Sequence, residues 1–245
     1  MRLKTILTAA TLCASPAIAE DVPYTVDGEN FTGYWAEAEN PVGLVLIIQD
    51  WDGMTDYERR RADMLAEMGY NAFALDMFGD ETPTDTVDHR RAATGALYQD
   101  RDRMRALIQA GIDQALSRSG VDEMVVMGYC FGGAVTLEMA RSDMADMAKG
   151  YATFHGGLST PDGQSWTGDE PPVMVFHGGA DTSITMEDVA TFANEMEKAG
   201  NTYTIEVYSN APHAFTVFGS DRYQERADTA SWKAFSDFLS AQFSG

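Results

Sequence analysis

Four short stretches carry side chains able to do covalent chemistry together. The first is Gly128-Tyr129-Cys130-Phe131-Gly132-Gly133, preceded by the apolar run Met124–Met127 and followed by helix-like Ala134–Ala140. A strand, a glycine-flanked turn and a helix make a nucleophile elbow, with cysteine where serine is usual. Glycines flank the nucleophile because the backbones pass too close there for side chains, and the central residue is strained. The helix N-terminus beneath Cys130 favours negative charge, so the position predicts a lowered thiol pKa and a usable nucleophile. Taken alone, the stretch also reads as a buried structural cysteine beside a turn.

A nucleophile of this kind needs a base, and the base needs an orienting acid. Phe176-His177-Gly178-Gly179-Ala180-Asp181 follows strand-like Val173–Val175, and Pro212-His213-Ala214-Phe215 follows strand-like Ile205–Tyr208. Cys130, Asp181 and His213 thus stand in the chain order nucleophile, acid, base. His213 is expected to take the thiol proton while Asp181 fixes the imidazole tautomer. Singly, Asp181 also reads as a helix cap and His213 as a surface loop histidine. Their joint order on separate loops favours the catalytic reading.

The fourth stretch, Gln49-Asp50-Trp51-Asp52-Gly53, leaves the first long apolar run. It is expected to supply the Trp51 amide, which with the Phe131 amide would hold an oxyanion. Asp50 is expected close to the thiol, and it also reads as a turn residue of this loop. His155, in His155-Gly156-Gly157, lies after the elbow and is expected to line the pocket or pack. His177 is expected to support the Asp181 loop, and His89 to be solvated at a helix start. The histidine and cysteine spacings do not suit a metal, and no glycine-rich nucleotide loop is present, so no cofactor is expected.

These loops must be held by a frame, and the frame is legible. Thr25–Phe31 reads as a hairpin with Asp27-Gly28 in its turn. Strands are expected at 43–49, 71–76, 124–128, 150–154, 173–176 and 202–208. Helices are expected at 56–68, 100–117, 134–141, 185–199 and 222–243, with Arg59 to Arg61 outward on the first of them. Short continuous apolar strands alternating with helices predict an α/β fold, one domain with a mostly parallel central sheet covered by helices on both faces. Polar, Gly- and Pro-rich 159–172 reads as an excursion between strands.

Arg2 and Lys4, the short apolar stretch 6–14 and Ala17-Ile18-Ala19 have the form of a secretory leader. The expectation is a signal peptide over 1–19, a folded domain over 20–245 and a periplasmic or secreted location. Cleavage would remove Cys13 and leave Cys130 as the single cysteine. The formal charge of -21 becomes 15 basic residues against 38 acidic after cleavage. Such a chain is a poor partner for nucleic acid or an anionic membrane surface. No stretch is long and apolar enough for a membrane span, and oligomeric state is not legible.

The elbow with cysteine, Gly178-Gly179-Ala180-Asp181, Pro212-His213-Ala214-Phe215 and Gln49-Asp50 with Gly53 together resemble the dienelactone hydrolase family, within the α/β-hydrolase superfamily, over nearly the whole mature sequence. The resemblance implies a Cys-His-Asp hydrolase that opens enol-lactones through a thioester acyl-enzyme. It also implies that the acid at Asp50, commonly Glu in the family, helps control thiol ionisation. Family members acting on dienelactone hold the substrate carboxylate with arginines, one of them shortly after the catalytic His. Ala214-Phe215-Thr216-Val217 offers none, so Arg90 and Arg91 stand as candidates for the other cation. The expected function is cleavage of a small-molecule ester or lactone. The alternatives are a broad carboxylesterase or thioesterase, a non-catalytic small-molecule-binding module on the same scaffold, and a redox-sensing thiol protein.

Overall fold

The computed structural model describes residues 19–244. The leader expected over 1–19, with Cys13, therefore lies outside the described residues except for Ala19. Strands β1 (Ala19–Val26) and β2 (Glu29–Ala36) form the expected hairpin. Its turn residues Asp27 and Gly28 both have positive φ, 52° and 87°. That is the backbone of a two-residue turn whose twist suits antiparallel strands, and Asp-Gly adopts it readily.

Six further strands run parallel: β3 (Leu44–Ile48), β4 (Asn71–Leu75), β5 (Met124–Tyr129), β6 (Gly150–Phe154), β7 (Val173–Gly178) and β8 (Tyr203–Tyr208). The spatial order is β1-β2-β4-β3-β5-β6-β7-β8. All five residues of β3 are fully buried, which is why its sequence is continuously apolar rather than alternating. Leu44, Leu46 and Ile48 face one core with α3 (Arg101–Ser119), α4 (Phe131–Ala140) and α5 (Met186–Ala199). Val45 and Ile47 face the other, with α1 (Asp56–Glu67) and α6 (Glu225–Phe243). Each such side chain contributes about 1.5–3 kcal/mol by leaving water. Every parallel strand then releases its following loop at the same, carboxyl edge of the sheet.

Three sequence expectations need correction. Arg61 is not outward on α1 but wholly buried. It lies four residues after Tyr57 and four before Leu65, so it falls in phase with that helix's inward stripe. Arg60 is exposed and Arg59 half-exposed, as expected. The last helix starts at Glu225 rather than 222, leaving Arg222 in the preceding loop. A further helix, α2 (Val87–Gln99), was marked in the sequence only by its start near His89. Its N-cap is Thr86, whose hydroxyl accepts from the His89 N–H. His89 itself is solvated and paired with Asp85.

Candidate active site

The turn from β5 to α4 places Cys130 at φ 48°, ψ -106°, a backbone strained for a residue with a Cβ. Close packing enforces the turn. A Cβ on Gly132 would lie 2.2 Å from the Ile48 carbonyl oxygen, and one on Gly128 2.1 Å from that of Gly132. A Cβ on Gly133 would meet Thr153 Oγ1 at 2.2 Å. The Cys130 amide donates to the Phe154 carbonyl (3.0 Å), tying the elbow to β6. Any larger residue at those glycines would push Cys130 off its position.

Loops after β7 and β8 bring Asp181 and His213 to this turn. His213 Nε2 lies 3.1 Å from Cys130 Sγ, and Nδ1 lies 2.7 Å from Asp181 Oδ2. The other oxygen of Asp181 accepts from the Ser183 and Ile184 amides at 2.8 and 3.0 Å. Asp181 therefore both caps its loop and faces the histidine. Burial pushes its carboxyl up, but the bonds from His213 and those two amides outweigh burial and hold it below its ordinary value. An ionised Asp181 only accepts, so the proton sits on Nδ1 and Nε2 is left to take one from sulfur.

Asp50 leaves β3 on the opposite side of the thiol. Burial and the nearby Asp52 raise its carboxyl to about 6, against the Trp51 amide and Cys130. Burial first, and then Asp50, push the Cys130 thiol well above its ordinary value, although the Phe131 amide pulls the other way. The lowered thiol pKa expected from the helix N-terminus is thus overturned. Neutral pH leaves the resting thiol protonated. The Trp51 amide donates to Asp50 Oδ1 at 2.5 Å, so one of the two expected oxyanion donors is occupied by the protein's own carboxylate. Glu58, wholly buried, accepts from the Asp50 and Thr55 amides and the Thr55 hydroxyl, fixing this loop to the start of α1. Burial lifts the Glu58 carboxyl to about 7.

Cys130, His213, Asp50, Trp51 and Phe131 open on a cavity of about 350 Å³, walled also by Thr94 and Tyr98 of α2, by Ile184 and by Arg222. Among the described residues, no group of three or more His, Cys, Asp or Glu side chains is arranged to hold a metal ion.

The sequence matches the dienelactone hydrolase family over residues 31–243. The chain belongs to that family. It is 26% identical to a "Putative carboxymethylenebutenolidase" of Salmonella typhimurium, across 89% of this chain and 85% of that one. A "Probable 2-oxo-3-(5-oxofuran-2-ylidene)propanoate lactonase" of Bradyrhizobium is 24% identical, across 89% and 93% of the two chains. A dienelactone hydrolase-like promiscuous phosphotriesterase from metagenomic libraries superposes with a TM-score of 0.82 at 27% identity, across 92% of this chain and 98% of that one. The fold is the α/β-hydrolase fold, and the protein is a dienelactone hydrolase-like hydrolase.

For this family member, the cations expected near the substrate are placed differently. Arg91 points to solvent, its side chain 71% exposed and paired with Asp88. Arg90 donates to the Thr84 carbonyl (2.6 Å) and lies 5.6 Å over the Trp51 ring, supporting that wall from outside the cavity. His155 does not reach the cavity either. It is buried behind His213 (ring centroids 5.3 Å apart) with Nε2 2.8 Å from Thr216 Oγ1. Burial holds His155 neutral. The arginine that does line the cavity is Arg222, missed because it read as the first turn of a helix. Its place nine residues after His213, on the same loop, was the available signal. Thr94 and Tyr98 were missed with α2, though their spacing of four puts both on one helical face.

Proposed function

We propose that the protein is an exported ester or lactone hydrolase with Cys130 as nucleophile, His213 as general base and Asp181 as the residue orienting it. The observation that carries the reading is the unbroken chain Asp181–His213–Cys130, with contacts of 2.7 and 3.1 Å, at the wall of a cavity. Geometry of this kind is what base-assisted attack requires.

The cycle runs as follows. His213 Nε2 takes the thiol proton as sulfur attacks the carbonyl carbon. The tetrahedral oxyanion is held by the Phe131 amide and by the Trp51 amide, which Asp50 must release. Collapse expels the alkoxide, which takes the proton from His213 and leaves a thioester on Cys130. In a lactone the departing oxygen remains tethered to the acyl group. Water, deprotonated by His213, then attacks the thioester, and sulfur leaves with its proton restored. A thiol protonated at rest beside Asp50 supports a nucleophile generated when substrate arrives, rather than a standing thiolate. Lactone ring opening is supported by the names of the two sequence relatives. Export is supported by the leader-like start of the sequence alone.

The test is a panel of lactones and aryl esters, assayed with wild type and Cys130→Ala. The expected result is hydrolysis that falls on the order of 10⁴-fold in the variant. Turnover unchanged by the substitution sinks the mechanism. Comparable turnover across simple activated esters, without lactone preference, selects the broad esterase instead.

A further inference from the structure

Beside the catalytic cavity lies a second one, of about 310 Å³, lined by Tyr98, Arg101, Ala134, Arg141 and Gly157 among others. Tyr98 and Gly157 wall both cavities, so the two are neighbouring compartments of one cleft. Tyr98 is the partition. Its ring stands edge-on to Phe131 (centroids 5.5 Å apart), next to the nucleophile, and Arg101 lies 5.2 Å over it.

The second compartment is cationic in a chain that is otherwise strongly acidic. Arg101 donates through Nη1 to Glu138 (2.9 Å) and through Nε to the Tyr98 carbonyl (3.1 Å). Arg105 also pairs with Glu138, so that one buried carboxylate is shared between two guanidinium groups. Arg141 has no carboxylate of its own. Its Nε donates to Gln164 (3.1 Å), its guanidinium lies 5.0 Å over the Trp166 ring, and its Nη1 is buried without a hydrogen-bond partner. A buried N–H group without an acceptor is costly, and burial pushes Arg141 down to about 10 despite the pull of Glu138. Glu138, Glu195 and Glu170 all act on Arg141, but none of them lines the compartment, whose charged walls are Arg101 and Arg141.

Helix α4 fixes the spacing. It starts directly after Cys130 and ends at Arg141, its C-cap, about 16 Å further along the axis at 1.5 Å per residue. An anion at Arg141 therefore cannot belong to the reacting carbonyl. It must sit several bonds away.

Resting on the hydrolase reading above, we propose that Arg101 and Arg141 form a distal anion subsite, and that the substrate is an elongated ester or lactone whose acyl part ends in a carboxylate. The ester lies against Cys130, the chain passes Tyr98 and Gly157, and the terminal carboxylate lies against the guanidinium groups of Arg101 and Arg141 that line the compartment. Arg222, in the catalytic cavity, is separate from this subsite.

The experiment compares p-nitrophenyl half-esters of succinate, adipate and suberate with neutral butyrate and octanoate esters, for wild type, Arg141→Gln, Arg141→Lys, Arg101→Gln and Arg222→Gln. In wild type the preference for a terminal carboxylate should grow with chain length. Arg141→Gln should lower the ratio of anionic to neutral kcat/KM roughly ten- to hundredfold, through KM. Arg141→Lys should restore part of it, and Arg101→Gln should act in the same direction. Equal losses on both ester classes, or a ratio moved only by Arg222→Gln, overturn the subsite. Calorimetric titration of Cys130→Ala with adipate separates binding from chemistry. Adipate binding that vanishes in Cys130→Ala/Arg141→Gln supports the subsite even if no ester is turned over. Absence of adipate binding by a folded Cys130→Ala, with esters hydrolysed normally by wild type, removes the subsite and leaves the hydrolase reading intact. Thermal unfolding midpoints establish that each variant is folded.

Discussion

Two ionic arrangements meet the loop 213–217 from different sides, and they are built on opposite terms. On one side Cys130 and His213 border an open cavity with Asp181 behind them, the Cys130 backbone is strained and its thiol is disfavoured in the charged form. On the other, Arg61 is sealed between α1 and α6. It pairs with Asp228, donates to the Thr216 carbonyl (3.1 Å) and the Tyr57 hydroxyl (3.3 Å), and lies 4.3 and 4.6 Å over the rings of Phe218 and Trp232. Thr216 joins the two: its hydroxyl bonds both Tyr57 (2.7 Å) and His155 (2.8 Å), three residues past His213. The sealed cluster uses charge to hold a loop in place. The open cluster uses that fixed loop to hold His213 within 3.1 Å of the Cys130 thiol.

The comparison breaks most sharply at Arg61. Arg61→Met leaves the buried Asp228 unpaired and should cost about 3–5 kcal/mol in urea unfolding, with Arg61→Met/Asp228→Leu recovering most of it. A loss below about 1 kcal/mol would mean that the cluster is not what pins the loop.

A smaller effect is expected on the open side. Asp50→Asn removes the carboxylate that opposes thiol ionisation, so alkylation of Cys130 by iodoacetamide should shift to lower pH. Near neutrality that is an acceleration of about tenfold for each pKa unit gained. Because Asp50 is itself raised to about 6, wild type and variant should converge as pH falls below that value. A constant gap across the range would show that Asp50 acts by shape and not by charge.

The smallest effect has the opposite sign from that at Arg61. Cys130→Gly relieves about 1–3 kcal/mol of backbone strain and adds about 0.5–1 kcal/mol of chain entropy. The variant should therefore be as stable as wild type, or more stable by about 1 kcal/mol. Clear destabilisation would mean that the thiol packs as a structural group in spite of its place at the cavity wall.

The two regions also differed in how far the sequence revealed them. Cys130, Asp181 and His213 were legible because each is announced locally, by a strand end and by the glycine or proline beside it. The alternation of strands and helices similarly gave the parallel sheet. Arg61 was not legible, because a buried charge depends on its partner, and Asp228 lies 167 residues away. Read as one charged run with Arg59 and Arg60, Arg61 was set outward, although its spacing from Tyr57 and Leu65 falls on the buried stripe. Cavity walls were hidden for a related reason. Arg222, Thr94 and Tyr98 meet only when α2 and the loop before α6 converge. The sign of the thiol shift was misread because the helix N-terminus is a local feature, whereas Asp50 arrives from another strand.

The bond between the Trp51 amide and Asp50 has one more consequence. Peroxide and disulfide exchange attack or consume thiolates, not thiols. With Asp50 held near the thiol by the Trp51 amide (2.5 Å), Cys130 is a poor target for both. The same Asp50 contact that disfavours the Cys130 thiolate is therefore a protection of the thiol against oxidants.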